Sequence, residues 1–199
     1  FLIEELGLDY WTFTLIITAA VITSFVGQRY WGDFADKYGN MRMVRLAALL
    51  IVPVPFAWLL SVNVAYLFGV QLVAGFIWAG FNLSSINFIY DVAVSNKRER
   101  CISYFNALSG FGLGAGALLG GYLYRYLPPV HGSKFYTLLI ISGGLRLLFG
   151  LALLLFTREV RNVQPIRTRT LLYDMSGIRS IGLLSRELLF RPTKDQGAK

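Results

Sequence analysis

Five apolar stretches, each about as long as a bilayer's hydrocarbon core is thick, recur along the 199 residues with only short polar breaks between them. They cover about 10–31, 43–62, 65–90, 102–125 and 135–157. In hydrocarbon every backbone N–H and C=O must be satisfied within the protein, and a helix does this by itself. Five such stretches therefore predict an all-α integral membrane protein. Composition agrees: 55% of residues are hydrophobic and 15% charged, too few charges to clothe a soluble domain of this size. Five stretches are also too many for a signal peptide followed by a soluble domain.

The formal net charge of +8 would suit a nucleic-acid binder, but its distribution argues against one. Arg29, Lys37, Arg42 and Arg45 flank the first break, Lys97, Arg98 and Arg100 the third, and Arg158, Arg161, Arg167 and Arg169 follow the last stretch. The intervening side has only Arg125 and Lys134, and the first residues carry Glu4, Glu5 and Asp9. Basic residues on alternate loops mark the cytoplasmic face. The chain is thus expected to start outside, cross five times and end in the cytoplasm. Residues 1–9 form an outer-loop stub, 10–157 the five-helix bundle and 158–199 a basic tail. Within the tail, about 168–190 reads as an amphipathic helix on the inner leaflet: Leu171, Met175, Ile178, Leu184 and Leu188 fall at helical spacing among arginines. Beginning at Phe1 with an odd number of spans, the chain reads as part of a longer one.

Cys101 and His131 are the only residues of their kinds. They leave no disulfide framework, no metal-ligand cluster and no implied cofactor. Without clustered nucleophiles, bases or ligands, an enzyme is not expected.

Between the first two stretches stands the polar run Gly32-Asp33-Phe34-Ala35-Asp36-Lys37-Tyr38-Gly39-Asn40-Met41-Arg42. It reads as a tight loop in which Gly32 and Gly39 allow positive φ and close packing. Asp36 is placed to accept N–H groups at a neighbouring helix N-terminus, and Lys37 and Arg42 hold the loop at the inner face. The plain alternative is a basic turn ending on a glycine.

The Gly-x-x-x-Asp-Lys-x-Gly pattern resembles the signature loop of the major facilitator superfamily, which joins the second and third helices of each six-helix half. The resemblance implies that Asp36 latches two halves together in one conformation, although Asn40 and Met41 stand where basic residues are common. It also makes the five stretches helices two to six of a half. Gln71 stands four residues before Gly75, where first halves commonly carry Arg, and the basic tail follows the last stretch. Both favour the second half, helices eight to twelve. Against this, Gly112-x-x-x-Gly116-Ala117-x-x-Gly120-Gly121 is similar to the family's antiporter motif on the fifth helix, with Ala117 in place of Pro.

Gly112, Gly116, Gly120 and Gly121 present a smooth surface that reads as helix packing, static or sliding. Polar or aromatic groups inside spans point to a substrate path: Trp78, Asn82, Asn87, Asn106 and Thr18, with Ser24 a weaker signal. Asp91 is expected to pair with Arg98 or Arg100 as a cytoplasmic gate. Arg146 is the one full charge deep in a span. The family puts that span at the periphery, so snorkelling or a bond to a helix carbonyl is expected. Pro53 and Pro55 should kink the second span.

The resemblance implies alternating-access transport of a small solute by a multi-pass secondary transporter in the cell (inner or plasma) membrane. Its partners would be the lipid bilayer, the other half of the transporter and an unknown small molecule, with or without a coupling ion. Two other readings remain open: the first half of an antiporter or exporter, and a non-transporting membrane scaffold.

Overall fold

The computed structural model describes residues 3, 6–130 and 132–160. The helices follow one another as α1 (Tyr10–Tyr38), α2 (Asn40–Ile51), α3 (Pro53–Ala57), α4 (Val64–Val92), α5 (Arg98–Tyr126) and α6 (Lys134–Phe156). A single 3-10 turn, Ser95–Lys97, precedes α5. The chain divides into units 1–163 and 164–199, and the described residues belong to the first. The expected amphipathic segment about 168–190 lies outside them.

A helix begins with N–H groups that have no partner in the preceding turn, and three side chains meet that need here. Asp9 accepts from the Trp11 N–H at 3.3 Å. Asn63 accepts from Ala65 and Tyr66 at 2.9 and 3.4 Å, and Ser133 accepts from Phe135 at 3.0 Å. Pro53 ends α2 because it has no N–H to donate and its ring crowds the turn before it. The Val52 N–H turns to the Leu49 carbonyl at 3.2 Å, and Pro53 opens α3 at a position where its missing donor is not needed. Taken together, α2 and α3 make one broken span. With α1, α4, α5 and α6 they make five segments long and apolar enough to cross a membrane.

The run 32–42 is not a loop. Helix α1 continues through it to Tyr38 because Gly27, Trp31, Ala35 and Tyr38 lie four, four and three residues apart and are all buried on one face. Gly39 alone reverses the chain, at φ 96°. Gly32 is an ordinary helical residue and does not supply positive φ.

The tightest seam joins α1 to α4. A Cβ on Gly75 would strike the Ala20 backbone, and one on Gly80 would strike the Trp31 ring. Trp31 is fully buried, and its Nε1–H donates to the Phe76 carbonyl at 2.8 Å. At the other end of the same seam, Ile16 and Leu67 form a small core with Phe13, Trp58 and Tyr66 around them.

The packing expectation for Gly112, Gly116, Gly120 and Gly121 is not met among the described residues. A Cβ at any of them would have nothing within 4 Å, and α5 has no buried residue. The close glycine contacts within helices lie on α1, α4 and α6, where the Phe76, Trp31 and Phe56 rings or, at Gly75, the Ala20 backbone fill the gap.

Candidate functional site

Gly143, Arg146 and Gly150 are three and four residues apart and share one face of α6. The Phe56 ring of α3 occupies the space a Gly143 Cβ would need, and Gly150 lies against Val52 and the Ala48 carbonyl. That face is therefore turned to α2 and α3, and Arg146 turns with it into the bundle.

Arg146 lies near the middle of the 23-residue α6, about 18 Å from its start and about 15 Å from its end at 1.5 Å per residue. That is farther than an arginine side chain extends, so the guanidinium does not reach either end of the helix. Among the described residues the expected carbonyl bond is not formed either. Among the described residues, the contact recorded for the guanidinium is the face of Trp78, with Cζ 5.8 Å from the ring centroid. Phe81 holds Trp78 edge-on at 5.7 Å and 85°.

A cleft of about 550 Å³ opens on one side of this pair. Apolar walls come from Phe25, Pro55 and Trp58; Ser24 and Gln28 of α1 and Gln71 of α4 add polar groups. On the other side, toward Gly39, a smaller cavity of about 170 Å³ runs past Phe81 and Phe149. Trp78 and Arg146 line both. An aromatic face, a cation and a few amides in an otherwise apolar cleft can hold an amphipathic molecule.

Of the expected path residues, Trp78 lies in the cleft. Thr18, Asn82, Asn87 and Asn106 line neither cavity. Ala20, Ser24 and Gln28 share the cleft face of α1, and Thr18, two residues before Ala20, falls on the opposite side. Asn106 is exposed on α5. The sequence reading missed Arg146 as a cleft residue, although Gly143 and Gly150 on its face were a legible sign of inward packing. Gln28 gave no signal, being one polar residue near the end of a long apolar run.

The signature residues gather at the end where α1 turns into α2. Gly39 is buried, its N–H donates to the Ala35 carbonyl at 2.9 Å, and its would-be Cβ would strike the Glu159 carboxylate. Glu159 accepts the Arg42 backbone N–H at 3.1 Å. An anion in the first turn of α2 is favoured by the helix dipole. The residue doing this for α2 is Glu159, beyond α6, which the sequence did not single out. Arg45 Nε donates to Thr157 Oγ1 at 3.0 Å, and Lys37 Nζ lies 4.9 Å from the Tyr38 ring centroid. Asp36 is exposed in the last turn of α1.

The expected pairing of Asp91 with Arg98 or Arg100 does not form. Asp91 Oδ2 accepts from Asn40 Nδ2 at 2.6 Å. Arg98, at the first position of α5, folds back to the Ala93 carbonyl at 3.3 Å and the Tyr90 ring at 5.8 Å. A buried amide at the start of α2 has taken the carboxylate. One short turn is thus tied to the far ends of both α4 and α6.

Five long apolar spans, the second of them broken at Pro53, around a cleft that holds one arginine define a multi-pass helical membrane protein. The profile of the Major Facilitator Superfamily matches residues 1–192, and the chain belongs to that family of transporters. It is similar to the proton-coupled antiporter flippase LtaA of Staphylococcus saprophyticus subsp. saprophyticus, 23% identical over 150 residues. The aligned region covers 69% of this chain and 35% of that protein, so the chain spans about a third of the relative's length.

Proposed function

We propose that this chain is part of a secondary transporter that carries a small solute across the cell membrane by alternating access. The observation that carries the reading is the family match along nearly the whole chain. The mid-span cleft with Trp78 and Arg146 supports it. In this reading the chain supplies helices eight to twelve, its C-terminal side is cytoplasmic, and helix seven together with the other six-helix half completes the pathway. Asp36, exposed beside the buried Gly39, engages that other half when the cytoplasmic side is shut. The glycines of α5, uncovered within this bundle, give the other half a smooth surface to move against. No Asp or Glu interrupts the middle of the five spans, so a coupling proton, as in the relative's name, would be carried in the rest of the protein or not at all.

The test is reconstitution of the full-length gene product into liposomes with a panel of labelled solutes, including head-group-labelled lipids. At least one should cross in a protein-dependent way, and Asp36→Asn should slow it several-fold with unchanged expression. Movement of none of them would favour the scaffold reading. Unchanged transport by Asp36→Asn would remove the latch.

A further inference from the structure

The geometry points to Arg146 as an anion-binding residue: the cleft takes an amphipathic organic anion, with its carboxylate or phosphate on the guanidinium and its apolar body along Trp78, Phe25 and Trp58. The inference rests on the transport reading for its purpose but on the cleft alone for its chemistry. A cation in the middle of a span is held there against a large desolvation penalty, and it is normally paired with a carboxylate, a carbonyl or water. Here, among the described residues, its recorded contact is the Trp78 face. A ring face attracts the cation but accepts no ordinary hydrogen bond from the guanidinium N–H groups, and those match a carboxylate or phosphate in two-point geometry. The placement is built rather than accidental. Gly143 and Gly150 bring the α6 face against α3 and α2, and Phe56 seats in the gap at Gly143.

The cleft's size and lining narrow the ligand. About 550 Å³ is far more room than a bare inorganic anion needs and falls in the range of small-molecule sites. Apolar walls next to the guanidinium favour a ligand with a hydrophobic body, and Gln28 and Gln71 can bond a polar substituent. Two sources share this chemistry: a soluble organic acid, or a lipid whose head group is an anionic phosphate.

Isothermal titration calorimetry on the full-length protein in phosphatidylcholine nanodiscs, corrected with empty discs, separates them. One matched pair is 2-naphthoate against 2-naphthalenemethanol; the other is dioctanoyl phosphatidate against dioctanoylglycerol. At least one charged probe should bind ten-fold or more tightly than its uncharged counterpart. Arg146→Gln should abolish that preference, and Arg146→Lys, which keeps the charge but not the fork, should retain part of it. A response confined to naphthoate assigns a soluble ligand, and one confined to phosphatidate assigns a lipid. Equal binding within both pairs, no binding of either anion, or an undiminished preference in Arg146→Gln would overturn the inference. Binding is read without turnover. Failed transport with intact anion preference would sink the transport reading alone, and the reverse would sink this one alone.

Discussion

At the scale of single residues, the signature pattern separates into positions with different physical demands. Gly39 sits at φ 96° with Glu159 against it, so a Cβ there is both strained and obstructed. Gly32 is helical, and a Cβ would meet only Leu83 Cδ2 at an ordinary 3.7 Å. Gly39→Ala should therefore cost about 1–3 kcal/mol, whereas Gly32→Ala should be neutral or stabilising by up to about 1 kcal/mol through helix propensity. Heating the detergent-solubilised protein and measuring the monodisperse fraction that survives checks both; equal losses would contradict the assignment. The pattern's existence was legible in the sequence, but this division was not. The two glycines look alike until the stripe Gly27–Trp31–Ala35–Tyr38 is seen to carry α1 past one and stop at the other. Glu159 was illegible for a related reason. It lies 117 residues from the Arg42 N–H it accepts, and no local pattern announces a cap supplied from so far along the chain.

Between elements, the seams are set by which glycines face a neighbour. Span number and approximate position follow from apolar length, because hydrocarbon leaves helices little alternative. The break in the second span follows from Pro53. Seam location does not follow, since it depends on what stands opposite. The dense glycine run of α5 drew attention by its spacing, yet the contacts fall at Gly75 and Gly80 of α4 and Gly143 of α6, matched by Ala20, Trp31 and Phe56. Two positions on α4 test this directly. Gly75→Ala should push α1 and α4 apart and lower stability by about 1–3 kcal/mol, while Gly69→Ala, with nothing within 4 Å, should leave it unchanged or slightly higher. The same thermal-survival measurement applies, and a tolerated Gly75→Ala would mean that the α1–α4 seam is looser than described.

For the whole molecule, the clasp and the cleft stand at different levels of one bundle. Asn40 and Glu159 bind the α1–α2 turn to the ends of α4 and α6, the two helices that also present Trp78 and Arg146. A movement of the turn would be passed along those helices to the cleft, as the alternating access proposed above requires. If the protein works by alternating access as proposed, the cleft is open to each side of the membrane in turn. The direct measurement is accessibility of Gln28→Cys, in the cleft wall, in the full-length protein with Cys101 and any other cysteine replaced by serine. A membrane-impermeant maleimide is applied to right-side-out and to inside-out vesicles, with and without Asp36→Asn. Labelling from both sides is expected, with Asp36→Asn raising the rate from the cytoplasmic side and lowering it from the other. Labelling from one side only, at a rate indifferent to Asp36, would contradict it.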